Sequence, residues 1–210
     1  MSHTTRLAAG IAVCTTALLL TSCTSDDDSG TPPTLGASAL SQTAQAGPSS
    51  AGRPSTDEFD LAQHRPGVSW EQAVATARSG FDGRLSQLEL DRDDGRLVYS
   101  VELVSATEEH DAKIDAESGE VIKRKTEPLD AADRAGAQAE AFDLDGLVDP
   151  ERAMAAALAQ APGRVTEWTL ERESHGGTPT IEYEIDVVGA DGTTTEVRVD
   201  ATTGAASIAR

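Results

Sequence analysis

The chain is short of cysteine, of aromatic residues and of positive charge, and each shortage removes a class of function. It has 210 residues, of which only two are Cys and 3% are aromatic. With so few rings, any core must be built from Val, Leu, Ile and Ala. Asp and Glu number 36 against 17 Lys and Arg, a formal net charge of −19 with a pI of about 4.4. Phosphate recognition needs clustered Lys and Arg, so nucleic acid is not expected as a partner. No apolar run is long enough to span a bilayer as a helix, which takes about 20 residues. No Gly-rich phosphate loop occurs, and no Ser stands in a nucleophile-elbow context.

What is present begins at the N-terminus. Arg6 supplies a short positive start, and Leu7 to Leu20 is a mostly apolar stretch. Residues 1–22 therefore have the form of an export signal. Leu20-Thr21-Ser22-Cys23 resembles the bacterial lipobox, a Leu and two small residues before a Cys. That resemblance implies that Cys23 is lipidated and becomes the first residue of the mature protein. A lipidated Cys carries at least two acyl chains, which suffices for stable membrane anchoring. The expected location is the extracytoplasmic face of the cell membrane. Cys14 lies in the signal, so the mature chain is left without a free thiol for disulfides, thiol catalysis or cysteine metal sites.

Residues 23–56, the lipidated Cys and the polar stretch after it, are rich in Ser, Thr, Gly, Ala and Pro. They lack periodicity and read as a disordered tether. The acidic run Asp26 to Asp28 within it has the composition of a solvated segment.

Beyond the tether one pattern is written twice. Residues 68–92 align with 148–172 at an offset of 80, and Glu71/Glu151, Ala73/Ala153, Gly83/Gly163, Arg84/Arg164 and Arg92/Arg172 coincide. Phe59-Asp60-Leu61 and Phe142-Asp143-Leu144 form similar lead-ins. Ser69 with Gln72 makes a capping box, and Asp149 with Pro150 makes a second helix start. Leu97, Tyr99, Val101 and Leu103 alternate with Val98, Ser100 and Glu102, and Ile181, Tyr183, Ile185 and Val187 with Glu182, Glu184 and Asp186. This period of two predicts half-buried antiparallel strands, apolar on one side and acidic on the other. Each copy closes on Asp-Ala-x-x-Gly, at Asp115 to Gly119 and Asp200 to Gly204.

These residues carry a family resemblance. A helix, then Tyr-x-Val-x-Leu or Tyr-x-Ile-x-Val, then a strand ending in the Asp-Ala-x-x-Gly turn resembles the PepSY domain. The resemblance implies an α+β fold: two tandem small domains, each one helix packed on a three- to four-stranded antiparallel sheet. The expected boundaries are 57–127 and 141–210, with a linker at 128–140 that is either a flexible joint or a short Ala-rich helix. The family includes propeptides of thermolysin-like metallopeptidases, and a role in restraining peptidases has been proposed for it. It brings no catalytic residues, so the expectation is a non-enzymatic binding or regulatory protein.

The expected partners are the membrane, through Cys23, and an envelope protein such as a peptidase. The alternative is an extracytoplasmic cation or small-ligand sensor that uses the acidic sheet faces, among them Glu182, Glu184 and Asp186. No cofactor and no metal ligand set is expected. Asp91, Asp93, Asp94 and Gly95 miss the spacing of a calcium loop and predict a hairpin turn. His3 lies in the signal, and His64, His110 and His175 are placed singly in loops. Tyr99 and Tyr183 are expected in the core, as is Trp168 on its strand. Trp70 has no equivalent in the other copy, and Arg198 is expected to pair across strands.

Overall fold

A computed structural model describes residues 59–175 and 177–209. Cys23, the export signal, the tether, His3 and Asp26 to Asp28 lie outside the described residues. The elements run α1 (Trp70–Arg78), β1 (Arg84–Asp93), β2 (Arg96–Val104), β3 (Glu108–Asp115) and β4 (Val121–Pro128) through the first copy. A short α2 (Arg134–Glu140) follows. The second copy runs α3 (Pro150–Gln160), β5 (Arg164–His175), β6 (Thr178–Val188), β7 (Thr194–Asp200) and β8 (Ala206–Ile208).

Both main helices begin as their sequences dictate. The Gln72 N–H donates to Ser69 Oγ at 3.4 Å while the Ser69 N–H donates to Gln72 Oε1 at 3.0 Å, closing the capping box. The Arg152 N–H donates to Asp149 Oδ1 at 2.7 Å, and Pro150 occupies the first turn, where its missing N–H is no loss. Ala73, Val74 and Ala77 of α1 and Ala153, Met154 and Ala157 of α3 are the buried positions. They join Leu85, Leu88, Leu90, Tyr99, Ile185 and Val197 in one hydrophobic cluster. Small Ala side chains let the helix backbones lie close to the sheet.

The strands do not form two sheets. All eight belong to one antiparallel sheet in the order β4-β3-β2-β1-β5-β6-β7-β8. The expectation of a separate sheet for each copy is corrected here. The first strand of each copy has an unpaired edge and an apolar side, and each satisfies the other's. Gln87 to Leu90 pair with Glu171 to Trp168. Leu88 faces Leu170 and Leu90 faces Trp168, while at the offset of 80 Leu88 corresponds to Trp168 and Leu90 to Leu170, so the two pairs exchange across the repeat. A pseudo-twofold axis therefore passes through the pair Glu89 and Thr169.

The lead-ins complete this junction reciprocally. The Leu61 N–H donates to Val165 O at 2.8 Å and the Phe142 N–H to Leu85 O at 2.8 Å. Each lead-in thus hydrogen-bonds to the first strand of the other copy. Arg164 donates to Phe59 O, and Asp60 Oδ1 accepts from the Val165 N–H at 3.1 Å. Arg84 pairs with Asp143 at 3.4 Å. The repeated Arg84 and Arg164 are explained by this exchange. Segment 128–140, left open between joint and helix, holds α2, whose Ala137 packs with Val104 and Leu129.

Candidate functional site

The repeated turn fixes each strand pair against its helix. Asp115 Oδ1 accepts from the N–H groups of Glu117 and Ser118 and from Ser118 Oγ. Asp200 Oδ1 accepts in the same way from Thr202 and Thr203. The bonds from Ser118 hold the Asp115 carboxyl below its ordinary range. At Asp200 burial pushes the other way, and the bonds from Thr203 and Thr202 outweigh it. Gly119 and Gly204 both sit at φ +76°, where an L side chain is strained. Ala116 and Ala201 then accept from the N–H groups of Val68 and Val148, the residues that lead into α1 and α3. Tyr99 and Tyr183 add a second tie, donating to Val68 O at 3.2 Å and Val148 O at 2.8 Å. Both tyrosines are buried, with Trp168 edge-on between them at ring distances of 6.4 and 5.8 Å. These groups are consumed in holding the fold.

The hairpin expected at Asp91 to Gly95 is present, with Asp94 at φ +48° and Gly95 at φ +78°. Both central residues in the left-handed region match the twist of the flanking strands. His64 lies in a loop as expected, whereas His110 and His175 fall in strands. His110 lies within β3 and is 4% exposed, stacked on Phe81 with Nδ1 at 2.7 Å from Thr126 Oγ1. Its flanks, Glu109 and Asp111, are polar, so the strand's alternation was carried by His110 itself together with Ala112 and Ile114. His64 pairs with Glu117 at 2.6 Å, and His175 ends β5. His64 and His110 thus have separate partners, Glu117 and Thr126.

The long helices pack against one side of the sheet. On the other side, among the described residues, α2 rests at one end. The register of the strands writes the composition of this open face as rows. One row runs Lys113–Ser100–Glu89–Thr169–Glu184–Arg198. The next runs Asp111–Glu102–Gln87–Glu171–Glu182–Asp200. On the first row's other side, Asp115, Val98 and Asp91 are aligned, as are Glu167, Asp186 and Glu196. The acidic residues Glu182, Glu184 and Asp186, singled out from the sequence, are thus part of a face that extends over both copies. Arg198 pairs across strands with Glu184 at 3.1 Å and along its own strand with Glu196 at 3.0 Å.

Like charges in neighbouring rows are destabilising, and the carboxyls respond. Burial, with help from Glu89, Asp186 and Asp91, raises Glu167 to about 7. Burial, with Glu184 and Glu173 next, raises Glu171 to about 7. Burial also raises Glu89, Asp91, Glu102, Glu184 and Asp186 above their ordinary values. Asp91 Oδ1 is enclosed and has no hydrogen-bond partner among the described residues.

At the β4 side the same face holds a groove of about 250 Å³ between Glu89 and Glu102 on one wall and Lys113, Lys123 and Lys125 on the other. These are all of the lysines in the chain. Lys113 pairs with Asp93 at 2.6 Å and Lys125 with Glu127. Oxygens of Glu102, Glu109 and Asp111 lie within 4.8 Å of one another. Sequence reasoning located the acidic alternation on single strands. It missed the face, because the face exists only once β1 and β5 pair.

Comparison with known proteins agrees with this architecture. The chain is similar, at 28% identity and a TM-score of 0.63, to the crystal structure of a candidate lipoprotein from Clostridium difficile 630. The match covers 72% of this chain and 96% of that one. A comparison with curated proteins gave no match. The PepSY family, described as "Peptidase propeptide and YPEB domain", matches residues 67–125 and 147–206. The two matched regions begin just before α1 and α3, end in β4 and β8, and together make up more than half of the sequence, so the chain belongs to the PepSY family.

Proposed function

We propose that this protein is a lipid-anchored, extracytoplasmic, non-catalytic binding protein. Cys23 carries the anchor, residues 24–56 form the tether, and the tandem PepSY unit engages a protein of the cell envelope. The observation that carries this reading is the fusion of two PepSY copies into one sheet with a broad face that the described helices leave open. Membership of a family described through peptidase propeptides makes a secreted peptidase the first partner to test, with restraint of its activity as the outcome of binding. The likeness to a candidate lipoprotein and the Leu20-Thr21-Ser22-Cys23 motif support the anchor.

The test is crosslinking and recovery from intact cells, with Cys23→Ser as the comparison. The wild type is expected in the membrane fraction with an envelope protein attached, and the variant in the soluble fraction. Recovery of a peptidase whose activity falls on addition of the protein supports restraint. A wild type that remains soluble ends the anchor assignment, and a wild type that recovers no envelope protein ends the binding assignment.

A further inference from the structure

We propose that the open sheet face docks a basic, extended polypeptide segment of the partner, its Lys and Arg side chains seated against Glu167, Glu171 and Asp186. This rests on the binding reading above and names the partner's chemistry. Among the described residues the face is bare beyond α2, while both long helices cover the opposite side. At its centre the balance of charge is one-sided. The charges that move Glu167, Glu171 and Asp186 are all carboxylates, from Glu89, Asp91, Glu184 and Glu196 among others. A solvated surface tuned only for solubility would place its carboxylates where water reaches them fully. Here they are half-buried and crowded, and Asp91 Oδ1 lacks a donor among the described residues.

The distribution of charge selects a polypeptide over an ion. A calcium ion needs six to eight oxygens at about 2.3–2.6 Å. Among the described residues, only Glu102, Glu109 and Asp111 form a carboxylate group within 4.8 Å, and the central carboxylates are not in it. They are instead spread along strands, Glu184 and Asp186 two residues apart on β6 and Glu167 and Glu171 four residues apart on β5 with Thr169 between them. Two residues of strand span about 6.6–6.8 Å. An extended segment with a basic residue at every second position presents cations at that interval and at twice it, which the two strands respectively match. The lysines at the β4 side repel such a segment, so it is steered onto the β1, β5 and β6 strands.

The probe is a fluorescein-labelled ten-residue peptide of alternating Lys and Ser, read by fluorescence anisotropy against the full chain in non-ionic detergent. Saturable binding that weakens with sodium chloride is expected. Glu167→Gln, Glu171→Gln and Asp186→Asn together should weaken it at least about tenfold. Glu71→Gln, Glu120→Gln and Glu151→Gln remove the same formal charge from exposed positions and should change it less than about twofold. Near-ultraviolet circular dichroism verifies that both triple variants are folded. Absence of saturable binding, or equal weakening by the two variants, overturns the proposal. Displacement by calcium chloride beyond that of sodium chloride at equal ionic strength also overturns it. Recovery of the same envelope protein from cells by wild type and central variant alike overturns this docking face and leaves the binding reading intact. Failure of wild type to recover any envelope protein, with the peptide still discriminating the two variants, fails that reading alone.

Discussion

At the residue scale the carboxyls of the open face set how stability depends on pH. Glu167 and Glu171 keep their protons up to about 7 in the folded chain, against an ordinary 4.5. The folded state therefore binds more protons than the unfolded chain between about pH 4.5 and 7. Stability contributed by these groups is present below that window and is lost as pH rises through it. Thermal unfolding should accordingly show a higher Tm at pH 5 than at pH 8. Replacing Glu167 and Glu171 together by Gln removes groups that repel only when ionised. At pH 8 the double variant should gain about 2 °C or more in Tm, and at pH 5 the gain should vanish. A gain of the same size at both values would mean that the crowding of charge is not its source.

At the element scale the Asp-Ala-x-x-Gly turn is the part of the molecule most completely legible beforehand. A carboxylate that gathers two N–H groups, followed by a left-handed residue, leaves few alternatives to Asp and Gly at those positions. Its two occurrences give a matched experiment. A Cβ on Gly119 would stand 3.1 Å from Val68 Cγ2, and one on Gly204 would stand 3.6 Å from the Arg152 side chain. Each Gly→Ala change should cost about 1 kcal/mol or more from the left-handed backbone alone. Gly119→Ala should cost more than Gly204→Ala, because the branched Val68 cannot swing away as a long Arg does. Urea unfolding of the two variants measures the difference, and equal losses would place the penalty in the backbone alone.

The same element scale shows why other features were hidden. The helix starts at Ser69 and Asp149 depend on contacts within three residues, so they were readable in sequence. His110 was not, because a histidine on the apolar side of a strand looks polar in any alternation count. It is buried by a ring, Phe81, that lies across the turn after α1. The reciprocal bonds of Asp60 and Asp143 were out of reach for a different reason. The repeated Phe-Asp-Leu was visible, but each lead-in completes the other copy, and only the long-range pairing of β1 with β5 reveals that exchange.

At the scale of the whole molecule, the pairing of β1 with β5 makes one core out of two repeats. Trp168 of the second copy packs against Tyr99 of the first, and a single cluster of buried residues runs from Leu61 to Ala201. Elements that share a core unfold together. Unfolding followed by far-ultraviolet circular dichroism, which reports the entire sheet, should coincide with unfolding followed by tryptophan fluorescence. Two separated transitions would show that the repeats are independent folding units despite their common sheet.

The axis through Glu89 and Thr169 has one more consequence. Two copies related by a twofold axis and joined through matching edge strands have the geometry of a homodimer, here contained in one polypeptide. A free dimer must remain self-complementary, so a change on one subunit appears on both. Covalent linkage lifts that constraint, and it also keeps the two edges at an effective concentration of about millimolar however dilute the protein is. The halves are then free to diverge while still holding each other. They have done so at the rims: β4 has eight residues and carries Lys123, Arg124 and Lys125, whereas β8 has three and carries no charge. The open face is therefore symmetric in its scaffold and polar in its charge, and a segment lying across it would meet a different end in each direction.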